Sequence, residues 1–106
     1  MLNQYQIIGN LGQDPEMRYT PNGKAVTNFS VAVSTGWGDN KKTLWLRVST
    51  WEKLAENCNQ YLKRGKKVFV SGELNEPSIY EKNGETRVTL QMTAREVIFL
   101  SGKNEE

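Results

Sequence analysis

The sequence contains no histidine and a single cysteine, Cys58. Without imidazole there is no His acid–base chemistry, no Ser–His or Cys–His nucleophile and no His-ligated metal. One thiol closes no internal disulfide. Cys58 falls at an apolar helical spacing, so it is expected to be a small core residue in a reducing, intracellular setting. No apolar run is long enough to cross a bilayer, and no basic segment followed by an apolar one opens the chain. Gly9-Asn10-Leu11-Gly12 is no phosphate-binding loop, because no Gly-Lys-Ser/Thr follows it. Asp14 and Glu16 stand close together, but nothing joins them as a metal or general-acid pair. No enzyme activity, cofactor or metal is therefore expected. Charge of one sign is also scarce: 14 Lys and Arg against 12 Asp and Glu leave a net +2. A polyanionic partner would have to be met by cations gathered on one surface.

What the sequence does have is a strongly patterned centre. From Leu44 to Trp51, Leu44, Leu46, Val48 and Thr50 share one parity and Trp45, Arg47, Ser49 and Trp51 the other. Such alternation marks a strand with two unlike faces. One face is apolar. The other carries indoles and a guanidinium, a poor solvent face and a good stacking platform. The period then changes: Trp51, Leu54, Ala55, Cys58, Tyr61 and Leu62 recur at helical spacing. Gly65 is expected to stop that helix, with Lys63 and Arg64 in its last turn. Trp51 belongs to both patterns, so spacing leaves open whether it packs inside or faces outward.

The rest of the 106 residues fits one domain, 1–100, with a short polar end, 101–106. Met1 to Leu11 reads as a first strand and Lys24 to Ser34 as a second, with Phe29, Val31 and Val33 toward the core. Thr20-Pro21-Asn22-Gly23 is a turn between them. Thr35 to Lys42 is a hairpin loop with Trp37 between two glycines. Lys67 to Leu74 is a fourth strand. Asn83-Gly84 marks a hairpin, and Thr86 to Leu100 is a fifth strand whose apolar phase slips near Arg95-Glu96, the mark of a bulge. Five strands with one helix between the third and fourth predict an all-β, OB-type Greek-key barrel. A two-layer α+β sheet satisfies the same pattern.

The aromatics outside the core pattern are Trp37, Trp45, Trp51 and Tyr80, candidates for stacking on bases. Arg18, Lys24, Lys41, Lys42, Arg47, Lys53 and Arg87 intersperse with them and are candidates for phosphate contact. Arg64 lies in the basic run Lys63-Arg64-Gly65-Lys66-Lys67.

The run Gly9-Asn10-Leu11-Gly12-Gln13-Asp14-Pro15-Glu16-Met17-Arg18-Tyr19-Thr20-Pro21-Asn22-Gly23 resembles the N-terminal signature of bacterial-type single-stranded DNA-binding proteins. Asn28-Phe29-Ser30-Val31-Ala32, Trp45-Leu46-Arg47-Val48, Lys53-Leu54-Ala55-Glu56 and Tyr61-Leu62-Lys63-Arg64-Gly65 are similar to that family too. The resemblance covers nearly the whole chain. It implies an OB fold without catalysis or cofactor, and a homotetramer built from dimers joined along the first strands. Single-stranded DNA would wrap around the outside, shielded during replication, recombination and repair in the cytoplasmic nucleoid, with no membrane involved. By position, Trp37, Trp45 and Trp51 match base-stacking aromatics, and Arg18, Arg47, Lys53, Arg64 and Arg87 match basic backbone contacts.

The chain departs from that pattern in three places. Asn75-Glu76-Pro77-Ser78-Ile79 replaces a basic stretch with its own stacking aromatic, so a weaker DNA path is expected there. Tyr80 is out of phase unless a bulge at Pro77 corrects it. Leu46 is expected to make the contact between dimers drier. The acidic tail that recruits replication and repair partners is not found before Glu106, so tail-mediated recruitment is not expected of this chain. Two other classes stay open: an oligomeric OB protein working through protein contacts, and an OB-fold nuclease.

Overall fold

The computed structural model describes residues 1–100; the polar end assigned to 101–106 lies outside them. Its elements run β1 (Tyr5–Leu11), β2 (Glu16–Tyr19), β3 (Ala25–Thr35), a 3-10 turn (Gly38–Asn40), β4 (Lys42–Trp51), α1 (Glu52–Tyr61), β5 (Lys67–Leu74), β6 (Ser78–Lys82) and β7 (Glu85–Phe99).

β4 takes the two faces its alternation requires. Leu46 and Val48 are 0% exposed and Thr50 is buried with them, while Trp45 and Trp51 point outward. The strand pairs antiparallel with β3, from Val26↔Trp51 to Thr35↔Lys42. On its other side it pairs parallel with β7, from Leu46↔Leu90 to Ser49↔Thr93. β7 pairs with β5, and β5 with β1. β1 then returns to β3 through Asn10↔Ala32 and Leu11↔Val31. The circuit is closed, and the expected OB-type barrel of five strands is present as β1, β3, β4, β5 and β7, with α1 between β4 and β5.

Closure brings backbones too near for side chains at two points. A Cβ on Gly9 would strike the Ala32 carbonyl, and one on Gly72 the Thr93 carbonyl. Gly72 lies beside the bulge. Ser71 opposes Glu96 but Gly72 opposes Ala94, which leaves Arg95 as the extra residue. The expected phase slip is this bulge, and it turns β7 around the barrel corner.

α1 covers one end of the core with Ala55 and Cys58, followed by Leu62 just beyond its last turn. A buried polar relay holds it there. The Thr50 hydroxyl donates to the Thr27 carbonyl at 2.9 Å, and the Thr27 hydroxyl donates to the Ala55 carbonyl at 2.7 Å. Cys58 is the core thiol expected; burial pushes it up to about 11, with the Thr50 hydroxyl pulling slightly the other way, so it stays protonated at neutral pH.

Several expectations need correction. β1 starts at Tyr5, not Met1. Residues 16–19 form a short edge strand on β3; its four residues carry too little alternation to stand out. α1 ends at Tyr61, where the Leu62 N–H donates to the Cys58 carbonyl. Lys63 and Arg64 therefore sit in the following turn rather than in the helix. Tyr61 is exposed and meets Phe99, ring centroids 6.1 Å apart, instead of filling the core. Leu46 is sealed in the barrel of one chain, so it cannot dry a contact between dimers.

Replacing Thr27 by Val keeps its shape and removes the donor to Ala55. Thr27→Val is expected to lower unfolding free energy by about 1 kcal/mol, read from denaturant midpoints at unchanged m-value.

Candidate nucleic-acid interface

The outward parity of β4 carries its neighbours' outward residues beside it in rows. Trp51 lies opposite Val26, which lies opposite Arg18 on β2. Ser49 lies opposite Asn28, and its hydroxyl donates to the Asn28 Oδ1 at 2.7 Å. Arg47 stands between Ser30 on β3 and Gln91 on β7. Trp45 lies opposite Ala32. Alanine, serine and asparagine beside the indoles leave ring surface open. Trp45 is 51% exposed and Trp51 43%. Trp51 is thus settled as an outward residue, although it also precedes α1: its strand parity governs its direction and the helix stripe begins after it.

The remaining aromatics stand on hairpins. Trp37 caps the 3-10 turn between β3 and β4 at 89% exposure, next to Lys41 and Lys42. Tyr80 on β6 pairs with Arg87 on β7. Arg87 has the parity of Gln91 and Thr93, the β7 residues beside Arg47 and Ser49. Glu73 on β5 opposes Thr93 as well, so unbroken alternation past it would have put residue 79, not 80, on that face. The break between β5 and β6 at residues 75–77 supplies the phase correction that Tyr80 requires. Its facing partner Ile79↔Val88 occupies the other side.

Of the eight candidate cations, Arg87 alone makes an ion pair with a described residue, to Glu85 at 3.0 Å. Both partners are exposed, so the pair contributes little to stability, but it occupies the guanidinium. Lys24 and Lys53 share an open cavity of about 400 Å³ with Tyr19, Glu52 and Glu56 at the entry to α1. Arg64 stands apart from the rows, in the α1–β5 turn, where its backbone N–H donates to the Asp14 carboxylate at 2.9 Å. Two neighbours escaped the sequence reading. Tyr19 is 61% exposed on the cavity wall; its place on a four-residue strand hid its direction. Gly12 lies against the Trp45 ring, a contact between residues far apart in the chain that no local pattern encodes.

Fold and outer face together define an OB-type barrel with an aromatic and basic strip across β4. The model of the single-strand binding protein family matches residues 2–100. Single-stranded DNA-binding proteins from two Neisseria meningitidis strains, of serogroup A and serogroup B, are 42% identical over 109 aligned positions, 98% of this chain and 63% of theirs. Single-stranded DNA-binding protein 1 of Chlorobaculum tepidum is 37% identical over 97% of this chain and 67% of its own length. This chain belongs to the single-strand binding protein family. It spans somewhat under two thirds of the length of the Neisseria proteins.

The three tryptophans occupy different surroundings, and quenching should rank them. In variants that keep one tryptophan each, acrylamide is expected to quench Trp37 most, with Trp45 and Trp51 intermediate. A Trp45 as shielded as a core residue would contradict the outward strip.

Proposed function

We propose that this protein binds single-stranded DNA without sequence preference and shields it during replication, recombination and repair, by base stacking on aromatics with phosphate contacts from Lys and Arg. The observation that carries the reading is the open row of Trp45, Arg47 and Trp51 on the outer face of a closed barrel. Exposed indoles are costly to leave wet, and every base offers a face to cover them. Paired bases in a duplex hide those faces, so duplex DNA is a poor ligand. Trp45 and Trp51 are the stacking centre. Arg47 and Arg18 neutralise phosphates along it, Lys24 and Lys53 extend the track toward α1, and Trp37 with Lys41 and Lys42 closes over it from the β3–β4 loop. Tyr80 continues the path onto the β6–β7 hairpin. That arm is weaker, since Glu85 shares the Tyr80 face and meets Arg87, and Glu76 adds negative charge at the break before β6. Arg64 contacts the strand only at its margin.

The family assembles, and two features here support a homo-oligomer. Residues 5–8 of β1 pair with β5 and have no ladder partner on their other edge among the described residues. Beside that edge, Ile8, Phe69 and Ile98 align across β1, β5 and β7 as an apolar row, with Ile8 54% and Ile98 44% exposed. A tetramer built from first-strand dimers uses both: the edge for strand pairing and the row for face-to-face packing.

Binding is tested by a titration with oligo-dT at two salt concentrations. Trp45→Ala is expected to cost ~1–3 kcal/mol with the salt slope unchanged. Arg47→Gln should instead flatten that slope by roughly 0.7. Equal affinity for duplex and single strand would overturn the reading. Assembly is tested by light scattering on Ile8→Asp, which should lower the mass of the particle; an unchanged mass removes the apolar row from the interface.

A further inference from the structure

A close contact on the outer face joins two residues 33 positions apart, Gly12 and Trp45. A Cβ placed on Gly12 would lie 2.5 Å from Cζ3 and 2.8 Å from Cη2 of the Trp45 indole. Real Cβ atoms essentially never come so close, so with any side chain at position 12 the ring would have to move. The benzo ring of Trp45 therefore rests directly on the Gly12 backbone. Gly12 cannot retreat. Its own N–H donates to the Ser30 carbonyl at 3.0 Å, and the preceding Leu11 donates to the Lys66 carbonyl and accepts from the Gly65 N–H, each at 2.9 Å. Nor is glycine there for its backbone freedom, because Gly12 is not among the glycines with positive φ. What the position requires is the missing side chain.

We propose that Gly12 is a positioning residue: it is the floor that fixes the Trp45 ring, presenting one indole surface in a set orientation before a base arrives. The inference rests on the reading of Trp45 as a stacking residue and adds how its ring is aimed. The contrast with Trp37 shows the consequence. Trp37 is 89% exposed on a loop, with no such floor among the described residues, so it is ordered when it binds, whereas Trp45 is ordered beforehand. Pre-organised contacts lose less side-chain freedom on association. An alanine at position 12 would lift the outer ring atoms off the floor and turn the indole, although Ala itself suits the backbone.

The test is a double-mutant cycle. Gly12→Ala is expected to weaken oligo-dT binding about fivefold, a part of the full stacking term. In a Trp45→Phe background, where Cζ3 and Cη2 are gone, the same change should alter affinity less than about twofold. An equal loss in both backgrounds would overturn the proposal. A variant carrying only Trp45 as its tryptophan (Trp37→Phe, Trp51→Phe) reports the ring without DNA. There, Gly12→Ala should raise acrylamide quenching and lower emission anisotropy; unchanged values overturn the proposal regardless of DNA. Changed values with unaltered affinity would instead leave the positioning intact and remove Trp45 from the binding surface. Should Gly12→Ala unfold the protein, thermal melting decides: Trp45→Phe must restore the fold if the ring clash is the cause.

Discussion

Period-two alternation along β4 couples the barrel core to the outer strip of the proposed function in one strand. Leu46 and Val48 are fully enclosed because their parity faces the core, and Trp45, Arg47 and Trp51 are open because theirs does not. A slip of one residue would bury a guanidinium and two indoles and expose three apolar side chains. Burying a charge without a partner costs several kcal/mol, so the core itself enforces the orientation of the outer strip. Neighbouring strands transmit the constraint. β3 and β7 are both registered on β4, so Arg18, Asn28, Ser30 and Gln91 are placed by the same register.

The run from Gly9 to Asp14 serves that arrangement residue by residue. Gly9 admits the Ala32 carbonyl where the barrel closes. Asn10 donates its side-chain amide to the Gly65 carbonyl at 3.0 Å. Leu11 is 3% exposed in the core, and its backbone is held on both sides by the α1–β5 turn. Gly12 supports the Trp45 ring, and Asp14 accepts the Arg64 N–H. A segment that first reads as loose, with two glycines in four residues, is a strap binding the barrel seam, the helix exit and the outer strip together.

Most of the barrel was legible because its strands alternate or carry a clean turn signal. Asn83-Gly84 is one: both residues have positive φ, 55° and 79°, as the tight hairpin they announce demands. What stayed hidden depends on contacts across the chain. β2 is a strand because β3 offers it an edge, not because four residues specify it. Tyr61 obeys the helical stripe, yet the helix ends at that point and its ring meets Phe99 outside. The face taken by Tyr80 was undetermined until its pairing with Arg87 fixed it. For Trp51, two periodicities met on one residue, and the strand ladder to Val26 decided between them.

The distribution of charge explains how a chain with a net charge of only +2 presents a basic track. Its acids are not spread evenly against its bases. Glu85 meets Arg87 on the β6–β7 hairpin and Glu73 meets Arg95 across β5 and β7, whereas Arg18 and Arg47 on the outer strip make no ion pair with a described residue. Their cross-strand neighbours are serine, glutamine and valine, which do not neutralise the guanidiniums; Glu16, two residues from Arg18 on the same face of β2, is the acid at the margin of the strip and pairs with neither. On the proposed function, such cations trade water and counterions for phosphates without first breaking an internal pair. The proposed function thus assigns most of the binding strength to β4, where ring support and unpaired charge coincide, and less to the β6–β7 hairpin, where the one aromatic faces an arginine paired with Glu85.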